Sequence, residues 1–389
     1  MWRDMIRNVL QTKTGWQAHY IAQGYDLRDV DSRDSFSRLP VLKKQDLPKL
    51  QRQSLPFAEF VQTDEVARIF VSPGPIYDPQ GEDEDYWRFG PLLDKIGVQH
   101  QDVVQNTFSY HLSPAGFMFD QAARSRGAKV IPAGTGHTNL QVDVMRDLQT
   151  TVYSGTPSFL MHLLQKAEEK GYRVGRELAL QKAVFTAETV TREMEAILNE
   201  RGIQYIDTYG TADVGAIAYR LQGENHFNVT EDIFLQICDP DTGLELTEGE
   251  VGEVVISLSS QVYPLIRFGT GDLSRWVVKD KAIAGMLGRV ADSYKVKGMF
   301  VHAQQLDEVM NSIREVETYQ AQIQHEGGQD VLRIHVTLAG GVPLEHVETH
   351  LLPQWTRHVK EHIRVTPTIH ISEQHHEPER DKLVDMREA

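Results

Sequence analysis

The sequence predicts an α/β protein with a large N-terminal domain of helix-covered mixed sheets, a small hairpin-rich region within it, and a small α+β C-terminal domain. Three observations carry this. Between residues 102 and 215, short apolar runs alternate with amphipathic stretches of helical spacing, the mark of a largely parallel sheet covered by helices. Between residues 232 and 258 the apolar period changes to two, as in antiparallel hairpins. The tail beyond Arg289 then has a strand and helix alternation of its own. A chain of 389 residues also exceeds the usual size of one compact unit. Domains of residues 1–288 and 289–389 are expected, with the boundary at residues 289–293.

Taken in order, residues 1–60 read as polar helices broken at Pro40 and Pro56, with a helix start in Lys43-Lys44-Gln-Asp-Leu47. A strand at residues 67–71 leads into Ser72-Pro-Gly-Pro-Ile-Tyr-Asp-Pro79. A Ser/Gly turn after a strand can cradle phosphate with backbone N–H groups. Pro73 and Pro75 have no N–H, so the residues by themselves favour a plain loop. The acidic run at residues 82–85 reads as a solvated helix N-terminus. Strands follow at residues 102–108, 129–132, 151–153 and 183–185, with helices at 117–126 and 140–148 between them. Thr156-Pro157 is a helix start, with Thr as N-cap and Pro at the first helical position. Phe159, Leu160, Leu163, Leu164 and Ala167 continue that helix, and Met194, Ile197 and Leu198 mark another.

Residues 203–206 form a β-like run that opens into Asp207-Thr-Tyr-Gly-Thr-Ala-Asp213. Polar side chains at a strand end converge where α/β proteins hold ligands. An exposed Tyr209 could stack on a heterocycle, Asp207 could accept from an exocyclic amine and Asp213 could hold a hard cation. An ordinary β-turn built on Gly210 accounts for the same residues, and the stretch alone leaves both readings open. In the tail, a helix at residues 306–313, a strand at 331–336 and a helix at 344–352 are expected.

A hydrophobic share of 40% with 24% charged residues describes a soluble globular protein. The net charge of −15 argues against nucleic acid or an anionic membrane as partner. The single Cys238 forbids an intramolecular disulfide framework and fits a reducing compartment. The first residues are charged throughout and lack a signal-peptide core, and no run reaches the roughly 20 apolar residues of a membrane span. A cytoplasmic location is therefore expected.

Several stretches together resemble the adenylate-forming acyl ligases, in their phenylacetate–coenzyme A ligase branch. They are Leu39-Pro-Val-Leu-Lys-Lys-Gln-Asp-Leu47, Gln105-Asn-Thr-Phe-Ser-Tyr-His111, Ala128-Lys-Val-Ile-Pro132, Ser154-Gly-Thr-Pro-Ser158 and Phe185-Thr-Ala-Glu188. Asp207-Thr-Tyr-Gly-Thr-Ala-Asp213, Arg267-Phe-Gly-Thr-Gly-Asp272 and Gly288-Arg289 complete the set, in the family's order and spacing. The resemblance implies ATP, Mg²⁺ and coenzyme A as cofactors, a carboxylic acid as substrate and a homodimeric habit. It implies a two-step reaction through an acyl-adenylate, with the C-terminal domain as a mobile lid. Glu188 and Asp207 would border the adenine, Tyr209 would stack on it, and Gly210 and Thr211 would line the α-phosphate side. Ser72 and Gly74 would remain of the phosphate loop, Asp213 would engage Mg²⁺, Asp272 would bind the ribose and Arg289 would reach the nucleotide from the hinge. The acyl pocket would use Phe108, Tyr110, His111, Phe117 and the loop with Gly136 and His137, with His111 orienting the carboxylate.

The sequence departs from the branch in four places. Its phosphate loop keeps few Ser, Thr and Gly residues, and Asp78 lies near the family's Lys. Asp213 is one methylene shorter than the family's Glu, and Ala212 replaces a hydroxyl residue. Ala291 stands where a hinge carboxylate is usual. The C-terminal Gly-Lys segment is replaced by Glu377-Pro-Glu-Arg-Asp-Lys382, so Lys382 is either a shifted catalytic Lys or a surface Lys. These changes imply slow adenylation. They leave open an aromatic acyl–coenzyme A ligase, an adenylating enzyme with another acceptor such as the deazaflavin-adenylylating synthetases, or a nucleotide-binding homologue without catalysis.

Overall fold

Nine strands form the main sheet, and its centre is the parallel arrangement that the alternation predicts. The computed structural model describes residues 2–12, 15–72, 75–296, 299–326, 329–363, 365–371 and 382–387. The chain forms two compact units, one of residues 1–270 and 275–285, the other of residues 271–274 and 286–389. In the first, Lys129–Pro132, Val103–Asn106, Val152–Gly155, Lys182–Phe185 and Gln204–Thr211 lie side by side and parallel. Gly215–Leu221, Phe227–Val229, Ala282–Ile283 and Trp276–Val278 extend the sheet antiparallel.

The strands are apolar on both faces because both faces are covered. Val104, Val152, Val184 and Ile206 pack with Leu92, Leu93, Phe119 and Ala122 on one side. Tyr153, Ala183, Phe185 and Tyr205 pack with Val142, Leu160, Leu164 and Leu198 on the other. Adjacent residues of one strand thus enter different cores, as a side-chain period of two requires. The helices Ala115–Ser125, Thr138–Asp147, Pro157–Glu169 and Arg192–Glu200 connect these strands. Thr156 is extended and Pro157 opens its helix, but the Thr156 side chain makes no cap hydrogen bond.

Several stretches differ from the sequence expectation. The strand Gln204–Thr211 does not end at Ile206; it runs through the polar residues and turns only at residues 212–214 into Gly215–Leu221. Residues flanking this turn are clamped from outside the hairpin. Trp87 Nε1 donates to Ala212 O at 3.1 Å, the Ala216 amide donates to Trp87 O at 2.9 Å, and Arg88 donates to Val214 O at 2.7 Å. Likewise, the expected loop after Ser72 contains a strand, Ile76–Gln80, paired antiparallel with Arg68–Ser72. Pro79 is tolerated there because this sheet has only two strands and every strand is an edge. Of the acidic run, Asp85 is only half-solvated. Its carboxylate accepts from the Phe89 and Gly90 amides at the start of Gly90–Asp94, and burial raises it to about 6.

A second sheet in this unit pairs Ile233–Cys238 with Gly252–Leu258, and places Leu42–Lys43 parallel to Leu265–Ser274. Its anchor is Arg267, 1% exposed, with a positive φ of 45°. The guanidinium donates to Ser37 O, to Leu39 O at 2.6 Å, to Gly243 O at 2.5 Å and to Cys238 Sγ at 3.3 Å. Burial pushes the Cys238 thiol up to about 11.

The second unit is a four-stranded sheet in the order Thr368–Ile371, Gln329–Leu338, Val316–Glu326, Leu383–Asp385, with helices Ala303–Asn311 and Leu352–Ile363. Leu306, Met310, Ile323, Ile334, Trp355 and Val359 form its core. The helix expected at residues 344–352 is one turn and a π segment, Val347–Leu351, that runs on into Leu352–Ile363. No helix among the described residues is long and apolar enough to cross a membrane.

Gly215 has φ of 82°, and a Cβ there would meet Trp87 O at 2.5 Å. Gly215→Ala is therefore expected to lower stability by about 2–4 kcal/mol through backbone strain and overpacking. Urea denaturation checks this, and an unchanged midpoint would mean that the turn relaxes freely.

Candidate active site

The strand order reverses between Val103–Asn106 and Val152–Gly155: the chain goes from the first to Lys129–Pro132 on one side, then returns to the other. Such a switch point leaves a crevice at the carboxyl ends of the strands. Hydroxyl groups tie these ends together. Thr107 Oγ1 donates to Ser154 O at 3.0 Å, and Tyr153 Oη donates to Thr156 O at 2.9 Å. Thr208 Oγ1 donates to Phe185 O at 2.8 Å, while Thr186 Oγ1 donates to Thr208 O at 2.7 Å. Glu188 sits beyond the next strand end, exposed, and accepts from the Ser158 amide at 3.2 Å, so it serves the N-terminus of Pro157–Glu169.

The hairpin Gln204–Thr211/Gly215–Leu221 brings Asp207, Tyr209, Gly210, Thr211 and Asp213 onto one element. Asp207 is 4% exposed and pairs across the strands with Arg220 at 2.9 Å. Burial raises its carboxyl to about 6, against the opposing pull of Arg220. Tyr209 is buried rather than exposed, with Oη 3.5 Å from Thr270 Oγ1. Gly210 leaves room for the returning strand, since a Cβ would meet Gly215 O at 2.5 Å. Thr211 Oγ1 accepts from the Val214 amide at 3.2 Å.

Asp213 has no exposed side-chain surface and pairs with Lys44 Nζ at 2.5 Å. A second carboxylate joins it. Asp78, 0% exposed, accepts from Ser72 Oγ at 2.5 Å and lies close enough to Asp213 for the two carboxyl groups to interact. Burial and then the Asp213 charge push the Asp78 carboxyl up to about 8. Gln51 holds this hairpin to the helix that follows Lys44, exchanging two 2.9 Å hydrogen bonds with the Tyr77 backbone. Ser72 thus reaches Asp213 through Asp78; Gly74 and Pro73 lie outside the described residues.

Among the expected acyl-pocket residues, Phe108 belongs to the core and stacks on Phe119 with centroids 4.8 Å apart. Tyr110 Oη accepts from Asn106 Nδ2 at 2.8 Å and donates to Asp120 at 3.1 Å. Phe117 touches both Tyr110 and Phe70 at ring distances near 5.3 and 5.2 Å, under the Arg68 guanidinium. His111 and His137 are exposed, and Gly136 O accepts from Gln141 Nε2 at 2.8 Å. In the second unit, Asp272 and Arg289 are cross-strand partners with Oδ1 and Nε 3.6 Å apart. Lys382 Nζ lies 2.7 Å from Asp307 and 5.4 Å from the Tyr319 ring centre. Of the end segment, residues 377–381 lie outside the described residues.

Sequence reasoning missed Arg220, Lys44 and the joining of Asp78 to Asp213. The spacing alone could not have found Arg220: a turn centred on residues 212–214 puts Tyr219 opposite Asp207, and a register shift between Tyr209 and Gly210 moves the partner to Arg220. Asp207→Asn gives the pH test of this site. The wild-type carboxyl, raised when folded, contributes stability below about pH 4 that is lost as pH rises to about 6. The difference between wild-type and variant stability should change by about 3 kcal/mol across that window. Denaturation at pH 4, 5, 6 and 7 measures it; parallel curves would rule the shift out.

The AMP-binding enzyme family matches residues 89–263, which contain the switch point and the clamped hairpin. Curated phenylacetate–coenzyme A ligases are similar over most of the chain. That of Thermus thermophilus is 29% identical, covering 81% of this chain and 75% of its own. Those of Escherichia coli and Pseudomonas putida are 27% and 26% identical, over 86% and 88% of this chain and 80% and 82% of their own. Among solved structures, an open conformation of 2-hydroxyisobutyryl-CoA ligase in complex with 2-HIB-AMP and CoA aligns with a TM-score of 0.82. It is 18% identical and covers 99% of this chain and 90% of that one. ATP-bound MatB from Rhodopseudomonas palustris aligns with a TM-score of 0.54 at 15% identity, over 82% and 67% of the two chains. At these identities the structural likenesses speak for the fold. The sequence relatives and the ordered motifs make the chain similar to the adenylate-forming AMP-binding enzymes, and within them to the phenylacetate–coenzyme A ligase branch.

Proposed function

We propose that this protein uses ATP to activate a carboxylic acid as an acyl-adenylate and then transfers the acyl group to coenzyme A, releasing AMP and pyrophosphate. The observation that carries this reading is the clamped hairpin, which holds Asp207, Tyr209, Gly210, Thr211 and Asp213 in the branch's order at the carboxyl ends of the parallel strands. A carboxylate is already a nucleophile, so the work of the site is positioning and charge neutralisation. Asp207, with Arg220 on one oxygen, offers a fixed acceptor for the adenine amine. Tyr209 gives the base an apolar neighbour, and Gly210 and Thr211 bring backbone close to the α-phosphate. Asp272 holds the ribose hydroxyls, and Arg289 is its neighbour across the strands. Phe117, Phe70 and Tyr110 supply the aromatic surface that suits a planar, phenylacetate-like acid.

Mg²⁺ fits the donor set. The Oδ1 atoms of Asp78 and Asp213 are buried hard oxygens with no hydrogen-bond donor among the described residues. Mg²⁺ commonly takes one or two carboxylates and completes its shell with water and substrate phosphates. When bound there it neutralises charge on the phosphates. Lys382, the candidate for the C-terminal catalytic Lys, is held by Asp307, which favours a second reading in which adenylation is slow or lost while the nucleotide pocket is kept.

Pyrophosphate release across an acid panel, with and without coenzyme A, separates these readings. Release with an aromatic acid and thioester formation only with coenzyme A is the expected result. Asp272→Ala should weaken ATP binding by about 2–4 kcal/mol through loss of charge-assisted hydrogen bonds. Isothermal titration checks it, and unchanged affinity would remove Asp272 from the site.

A further inference from the structure

The nucleotide end of this chain carries a charge arrangement that its sequence alone does not disclose. Asp78 stands near the position where the branch has a Lys, and an anion beside triphosphate would be repulsive if it faced the phosphates alone. The structure gives it another partner. The hairpin Arg68–Ser72/Ile76–Gln80 sets Asp78 opposite Phe70, and Ser72 Oγ donates to its Oδ2 at 2.5 Å. Its carboxyl lies within interaction range of that of Asp213, whose Oδ2 is 2.5 Å from Lys44 Nζ. Both carboxyl side chains are buried, and Oδ1 of each lacks a donor among the described residues.

We propose that Asp78 and Asp213 together form a two-carboxylate site for a divalent cation, Asp78 being a metal ligand that the branch's phosphate loop does not provide. The inference rests on the reading of Asp213 as the metal-side carboxylate of an adenylating site. Two buried carboxyl groups share one ammonium, so ionising both is costly unless a further cation joins them. Ser72 and Lys44 each occupy one oxygen of a different carboxylate and leave the other to a further cation. Paired hard oxygens suit Mg²⁺ or Mn²⁺ rather than a soft metal. The second carboxylate also accounts for the shorter side chain at position 213. Where a single Glu reaches one methylene further, Asp213 is met by a ligand from the opposite hairpin. The ligand set has moved, and Lys44 supplies the positive charge absent from position 78.

The test uses Mn²⁺ as the probe on the full chain without nucleotide, followed by electron paramagnetic resonance, with ATP binding measured separately by titration calorimetry. The wild type should bind one Mn²⁺, competed by Mg²⁺. Asp78→Asn and Asp213→Asn should each weaken it at least about tenfold. Ser72→Ala should change it by only a few fold, since Ser72 orients Asp78 without touching the metal. Lys44→Met, which removes the competing ammonium, should tighten it, and keeps the test valid if an Asp variant fails to fold. Absence of Mn²⁺ binding by the folded wild type, unchanged binding in Asp78→Asn, or weaker binding in Lys44→Met would each overturn the proposal. Failure of the enzymatic reading would appear separately, as ATP affinity or pyrophosphate release that is absent while Mn²⁺ still binds.

Discussion

A buried carboxylate at the turn of a hairpin needs a cation, and the Lys44 ammonium 2.5 Å from Asp213 supplies it. Much of the site's local order depends on that contact. Lys44 follows the strand Leu42–Lys43 of the smaller sheet, whereas Asp213 follows Gln204–Thr211 of the larger one. The ion pair therefore joins two sheets at one point, and the Ser72–Asp78 contact adds the two-stranded hairpin as a third party. Removing one member of such a buried group leaves its partner's charge uncompensated, at a typical cost of about 3–5 kcal/mol. On the proposed reading the same group faces the nucleotide phosphates, so stability and nucleotide chemistry would draw on the same few atoms.

The parallel core was legible because its physics is local. Strands buried on both faces read as apolar runs, and the covering helices repeat their apolar residues at helical spacing. What stayed hidden was set by pairing between distant segments. Gln204–Thr211 reads as a turn after Ile206 because Asp207, Thr208, Gly210 and Thr211 are poor strand formers; Trp87 and Arg88, more than a hundred residues earlier, hold the turn further along. Ile76–Gln80 was masked by Pro79 and by Pro75 just before it, and its burial does not alternate, since every residue but Tyr77 is buried. Val316–Glu326 did carry a signal, with Tyr319, Ala321 and Ile323 buried at every second position, but its Gln and Glu residues diluted it.

The site was legible as a set of residue types and not as a set of contacts. Spacing placed Asp207 and Asp213 in one stretch, but nothing local to that stretch indicates that Arg220 will take an oxygen of the first or Lys44 an oxygen of the second. Asp78 is the sharpest case. In the sequence it is an acid where a base belongs; in the fold it is half of a carboxyl pair whose other half is 135 positions away in the chain. A substitution that reverses a charge can thus keep the charge balance of a site when a partner from a third segment is already in place.

The Arg267 anchor also gives the molecule a built-in reporter. Its guanidinium bonds the only thiol in the chain, and Cys238 is fully buried with its ionisation suppressed. Alkylating reagents react with thiolates, so this sulfur stays silent until the smaller sheet opens. The rate at which the native protein takes up a maleimide is then a direct clock for opening of that sheet. Cysteines introduced elsewhere for distance labels can be modified selectively, with the natural one left in place.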